Sequence, residues 1–215
     1  MQQKVHSAPT LVYPSSDGKP MAETDKHRKL MVDFIQMLEY HFRETNDVYV
    51  SGNLLMYYEE GNPRKSIAPD VFVVFGVGKK PRRTYLTWEE GSTPDFVLEV
   101  ASPSTYQHDF GPKKQLYASV LAVKEYYIYD PYGDITPSFI GYRLTDGEYK
   151  EIAFVEGRLP STVLGDLELG EHAGDLRLYN PATQQWLQPP EERAEQMEAE
   201  LAEALAELER LRAKT

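Results

Sequence analysis

Two periodicities divide this chain. Apolar residues at three-to-four spacing (Leu30, Phe34, Met37, Leu38 and then His41 or Phe42) predict one amphipathic helix, capped by Thr24 or Asp25 and running to about residue 43. Beyond it the pattern shortens to that of strands. Residues 47–50 and 54–58 are strand-like, with Gly52 read as a bulge or tight bend between them. The run Val71-Phe72-Val73-Val74-Phe75 is β-branched and aromatic, as a central strand is, and Asp70 stands at its start. Phe96-Val97-Leu98-Glu99-Val100 is a second buried strand, entered through Pro94 and Asp95.

The segment 101–104 breaks that second strand. Asp109 then starts a helix with Pro112 in its first turn and its body over about 113–121, and Glu125 to Asp130 form a further strand stopped by Pro131. Strand, helix and strand at this spacing predict a parallel pair. Residues 138–144 and 148–155 read as a hairpin around Thr145-Asp146-Gly147. Residues 156–188, with short apolar segments around Leu164, Leu167, Leu169, Leu176 and Leu178, read as irregular packing on the sheet. From Pro189 the composition changes. Ala194, Met197, Leu201, Ala204, Leu208 and Leu211 mark an a/d seam, so a helical tail over 189–215 is expected to follow a domain of residues 1–188 and to pair with a second copy.

Charge and composition narrow the class. The net charge is −11; the tail, with eight Glu against four Arg or Lys, carries −4 of it and leaves −7 on the body. An acidic body argues against strong non-specific nucleic-acid binding, although metal-ligating acids add to the count and basic residues can be local. The one basic cluster, Lys79, Lys80, Arg82 and Arg83, is either a solvated hairpin tip or a contact to a phosphate backbone. There is no Cys, no apolar run long enough to span a membrane and no apolar signal-peptide core near the start, so a cytoplasmic protein is expected.

The chemistry centres on Glu99. A carboxylate in a strand buried on both faces is paired or bound to a metal, because burying it alone costs several kcal/mol. If the strands bearing Asp70 and Glu99 are antiparallel neighbours, the start of one lies beside the end of the other and the two acids converge. A hard divalent cation such as Mg²⁺ or Mn²⁺ resolves their repulsion, with the Val100 carbonyl as a further ligand. Lys113, at the start of the following helix, would orient or deprotonate an attacking water or stabilise charge on a phosphate. Tyr117, one turn on, reads as a core residue whose hydroxyl could brace Lys113. His27 reads as a surface or capping histidine. The competing reading is a catalytically silent, dimeric interaction protein.

At these same residues the chain resembles a family. Pro69-Asp70-Val71-Phe72-Val73-Val74, Pro94 to Val100 followed by Ser102-Pro103-Ser104-Thr105, Asp109 to Tyr117 and Glu125 to Pro131 are similar to the Uma-type restriction endonuclease family, within the PD-(D/E)XK nuclease superfamily. The resemblance runs from about residue 23 to 178. It implies a restriction-endonuclease-like mixed β-sheet flanked by helices, an α/β (α+β) fold, with Asp70 and Glu99 as metal ligands and DNA as substrate. The superfamily's usual lysine position, two residues after the acid, is Ala101 here. Lys113 fits a lysine relocated to the helix, with Lys114 as fallback, and Glu23 loosely matches a glutamate that some members supply from the first helix.

Overall fold

The computed structural model describes residues 11–16, 18 and 24–213. The strands are β1 (Val48–Ser51), β2 (Met56–Tyr57), β3 (Ser66–Ile67), β4 (Val71–Phe75), β5 (Tyr85–Leu86), β6 (Phe96–Val100), β7 (Glu125–Tyr129), β8 (Phe139–Thr145), β9 (Glu148–Glu151), β10 (Arg158–Pro160), β11 (Glu168–His172), β12 (Asp175–Asn180) and β13 (Gln185–Trp186). The helices are α1 (Asp25–His41), α2 (Thr87–Glu90), α3 (Tyr106–His108), α4 (Lys114–Ser119) and α5 (Pro190–Arg212), with a π-type turn over Asp109–Lys113 joining α3 to α4.

Six strands form the central mixed sheet in the order β1-β4-β6-β7-β8-β9. The pair β6–β7 is parallel and its neighbours are antiparallel. Strands β4, β6 and β7 are the most buried, which is why their sequences are near-continuous apolar runs rather than alternating ones. The hairpin β8–β9 turns at Asp146 and Gly147, both at positive φ as the two central residues of a type I′ turn require.

Each face of this sheet is covered by a helix and a smaller sheet together. On one face, Leu30, Phe34, Met37 and Leu38 of α1 pack with Val71, Val73, Phe96 and Leu98 of the sheet and with Leu159, Leu169, Leu176 and Leu178. These last leucines belong to a four-stranded antiparallel sheet, β10-β11-β12-β13. The expectation of irregular packing over 156–188 is therefore corrected. The signal was the alternation in Asp175-Leu176-Arg177-Leu178-Tyr179, whose leucines turn inward, and the turn at Ala173-Gly174, both at positive φ. On the other face, Tyr117 and Leu121 pack with Phe72, Val74, Val97 and Tyr126, beside a three-stranded sheet, β3-β2-β5.

Helix α5 leaves the body at Pro190. Its first turn is fastened by the Arg177–Glu192 ion pair and by Arg193 stacked 3.9 Å over the ring of Tyr40. Further along, Met197, Leu201, Leu205, Leu208 and Leu211 are about half exposed or more. No described helix is long and apolar enough to cross a membrane.

Candidate active site

The antiparallel ladder between β4 and β6 decides where the two acids meet. Its pairs include Val71 with Leu98 and Phe72 with Val97, so one step further brings Asp70 opposite Glu99. Alternation from Phe72 and Val97 aims both side chains to the face that α4 covers. The two acids then lock each other's backbones. Val100 N–H donates to Asp70 Oδ2 at 2.8 Å, and Asp70 N–H reaches Glu99 Oε2 at 3.4 Å. Glu99 is fully buried, and Asp70 keeps a side-chain exposure of 16% toward a cleft of about 630 Å³.

Helices bring the rest. Pro112 sits inside the turn Asp109–Lys113, not in a helix's first turn as expected; helical structure starts earlier, at Tyr106. A proline has no N–H to give the preceding turn and its ring crowds the carbonyl four residues back, which accounts for the widening to a π-type turn. The widened turn carries Asp109 and Lys113 inward. Lys113 Nζ stands 3.0 Å from Glu99 Oε2 and 2.9 Å from Asp109 Oδ1. One turn further, the Tyr117 hydroxyl donates to Glu99 Oε1 at 2.6 Å, so it braces the acid directly. Lys114 points elsewhere, with its Nζ 3.5 Å from the centroid of the Tyr142 ring.

The N-terminus of α1 closes the remaining side. Thr24 caps it by accepting from His27 N–H at 3.2 Å, which sets His27 in the first turn with Nε2 3.5 Å from Asp70 Oδ2. His27 is thus part of the constellation and not only a capping or surface residue. The sequence signal was present in the cap three residues before it, but which strand end α1 would cross was not readable. Asp109, expected only as a helix starter, is 1% exposed and is the third carboxylate of the cluster.

The electrostatics follow from three carboxylates around one ammonium. Burial pushes the Glu99 carboxyl up to about 8, against the pull of Lys113, and the charges of Asp70 and Asp109 add to the rise. Burial also raises Asp109. Asp70 goes the other way. Its burial penalty is outweighed by the His27 contact, the charge of Lys113 and the Val100 N–H together. For Lys113, burial favours the neutral amine, but Glu99, Asp109 and Asp70 overcome it and hold the ammonium above its ordinary value. A lysine so held carries a positive charge and is a poor proton acceptor.

The donor set suits a hard cation. Among the described residues no group of three or more His, Cys, Asp or Glu side chains is arranged to hold a metal, and Mg²⁺ or Mn²⁺ needs fewer: one or two carboxylates, with waters and substrate oxygens completing the shell. Val100, whose carbonyl ends β6, lines the same cleft as Asp70. Glu23 lies outside the described residues.

The basic cluster is partly tied into the fold. Arg82 is sandwiched between a bidentate pair to Glu90, both bonds 2.8 Å, and the ring of Tyr49, 4.0 Å away. Lys79 Nζ donates to the carbonyls of Phe42 and Arg43 at the end of α1, and Lys80 pairs with Glu90 at 3.2 Å. Arg83 is exposed. These residues follow the far end of β4, beside the C-terminus of α1, whereas His27 and Asp70 are at the opposite ends of both elements. Fifteen helical residues from His27 to Phe42 make that separation about 22 Å. Lys79, Lys80, Arg82 and Arg83 thus stand away from the acids, and a phosphate that they met would lie about 22 Å along the surface from the cleft. Arg82 and Lys80 share Glu90 as an ionic partner, Lys79 is held by backbone carbonyls, and Arg83 faces solvent.

A family model described as "Putative restriction endonuclease", Uma2, matches residues 6–170, which include Asp70, Glu99, Asp109, Lys113 and Tyr117. The chain belongs to the Uma2 family. Among solved structures it is similar to "a putative nuclease belonging to DUF820" from Anabaena variabilis ATCC 29413, with 17% identity, a TM-score of 0.52, and coverage of 71% of this chain and 80% of that one. At that identity the likeness speaks for a shared mixed α/β fold. No curated protein matches the chain.

Proposed function

We propose that this Uma2 protein is a metal-dependent endodeoxyribonuclease that hydrolyses phosphodiester bonds in the cleft bordered by β4, β6 and α1. The observation that carries the reading is the meeting of Asp70 and Glu99, 29 residues apart in sequence, with Lys113 Nζ 3.0 Å from Glu99 Oε2. Asp70, Glu99 and the Val100 carbonyl would hold Mg²⁺ or Mn²⁺, which when bound polarises the phosphate and lowers the pKa of a ligated water. Lys113, kept protonated by its neighbours, stabilises negative charge as it builds on the phosphate oxygens. Asp109 holds that ammonium in place, and Tyr117 fixes the rotamer of Glu99. His27 orients Asp70.

The test is plasmid nicking in Mg²⁺ or Mn²⁺ by the wild type and by Asp70→Ala, Glu99→Ala and Lys113→Ala. Loss of nicking in all three is expected; nicking that persists in both acid variants sinks the proposal. Metal titration of Asp70→Asn separates this reading from a silent binding module, which would lose no site. For the whole molecule we take residues 1–188 as the nuclease unit and 189–215 as a tail that pairs two copies along the exposed face of Met197, Leu201 and Leu208. Truncation after Gln188 is expected to halve the mass in light scattering; an unchanged mass counts against pairing through the tail.

A further inference from the structure

One side chain on the rim of the active cleft has no role in the chemistry above. Tyr132 follows β7 in the turn Asp130 to Ile135 and lines the same cleft as His27, Asp70 and Lys113. Its side chain is 53% exposed. Exposed aromatics are common and need no explanation when they stand alone on a mobile surface. This one stands on a braced turn. Asp130 is buried, and its two carboxylate oxygens accept from Tyr132 N–H at 2.9 Å and from Ile135 N–H at 2.8 Å. Pro131 and Ile135 on either side are buried as well. These bonds fix the backbone that carries the ring, so the ring moves only about its own side-chain torsions.

A cation is held beside it. Lys26, in the first turn of α1, donates from Nζ to the Pro131 carbonyl, and the ammonium lies 5.5 Å from the centroid of the Tyr132 ring. Lys113, deeper in the cleft, is committed to Glu99 and Asp109, and Asp134 adds a negative charge to the same rim. Lys26 thus offers positive charge at the rim, close to an exposed aromatic ring.

We infer that Tyr132 and Lys26 form a binding step for one nucleotide of an unpaired DNA strand, the ring stacking on a base and the ammonium facing the adjoining phosphate. The inference rests on the nuclease reading and deepens it by naming the substrate as single-stranded or locally unpaired DNA. Bases in a duplex present edges to a protein and keep their faces in the stack, so a ring at the cleft mouth gains a partner only from an unstacked base. A single strand also has a lower charge density than a duplex, which lessens repulsion from a body of net charge −7.

The experiment measures binding of a fluorescein-labelled oligothymidylate by anisotropy, in Ca²⁺, together with KM and kcat for its cleavage in Mn²⁺. Tyr132→Ala is expected to weaken binding roughly fivefold or more, with the loss falling on KM more than on kcat, while Tyr132→Phe stays within about twofold of wild type. An oligomer of abasic residues should not distinguish Tyr132→Ala from wild type. Lys26→Gln should reduce the slope of log affinity against log salt by about 1. Equal affinity and KM for Tyr132→Ala and wild type, in a protein that does cleave, overturn this inference alone. A wild type that neither binds the oligomer nor cuts DNA overturns the nuclease reading with it.

Discussion

Gly52 lies against the backbone carbonyl of Asp70. A Cβ built at position 52 would stand 2.0 Å from that oxygen and 2.7 Å from Ile35 Cδ1, and the next residue, Asn53, donates its N–H to Pro69 O at 2.8 Å. The segment after β1 therefore presses on the residue that carries the first acid, and only a glycine allows the approach. The carbonyl belongs to backbone and cannot swing aside as a flexible side chain would. Gly52→Ala is expected to destabilise the fold by about 1–3 kcal/mol and to move Asp70 out of register with Glu99. Thermal unfolding measures the first effect. Nicking activity below that of an equally destabilised core variant measures the second.

Tyr117→Phe isolates the brace on Glu99. It removes the 2.6 Å hydrogen bond and leaves Oε1 of a fully buried carboxyl without that donor. The expected cost is about 1–3 kcal/mol, read from denaturant midpoints at unchanged m-value. A variant as stable as wild type would mean that Glu99 finds another partner.

The raised Glu99 carboxyl sets a pH dependence in the metal-free protein. Its folded value of about 8, driven first by burial, lies above its ordinary value of 4.5. Between the two, the folded state binds the additional proton, so this group's contribution to stability is greatest below the ordinary value, falls as pH rises and levels off above about 8. Glu99→Gln keeps the shape and cannot ionise. In EDTA the difference in melting temperature between this variant and wild type is therefore expected to grow in the variant's favour as pH rises through that window. A difference independent of pH would contradict the assignment.

The Arg82–Glu90 pair predicts the opposite slope. The bidentate bond from Arg82 holds the Glu90 carboxyl down at about 2, although burial opposes the shift. Its contribution is present above the ordinary carboxylate value of 4.5 and is lost as pH falls toward about 2. Arg82→Ala is expected to cost about 2 kcal/mol near neutrality and progressively less toward that acid limit. It is also expected to leave the salt dependence of DNA binding unchanged, since the guanidinium is spent within the fold. A salt slope reduced by about 1 would return Arg82 to the phosphate contacts.

Much of the framework is legible in the chain's local patterns. The α1 stripe, the buried runs around Val73 and Val97, the parallel β6–β7 step and the turn at Asp146-Gly147 are all local patterns, set by side-chain period and turn chemistry within a few residues. Glu99 was conspicuous for the same reason: a charge inside an apolar run is visible without a fold. What tertiary structure alone decided is who meets that charge. His27, Asp109 and Tyr117 come from α1, the π-type turn and α4, and no sequence period records that α1 crosses the start of β4 or that the π-type turn swings Asp109 inward. The basic run at 79–83 shows the converse. Its composition suggested a contact with phosphate, but a charge's role depends on its nearest partner, and for Arg82 that partner is Glu90, eight residues along and brought close only by folding.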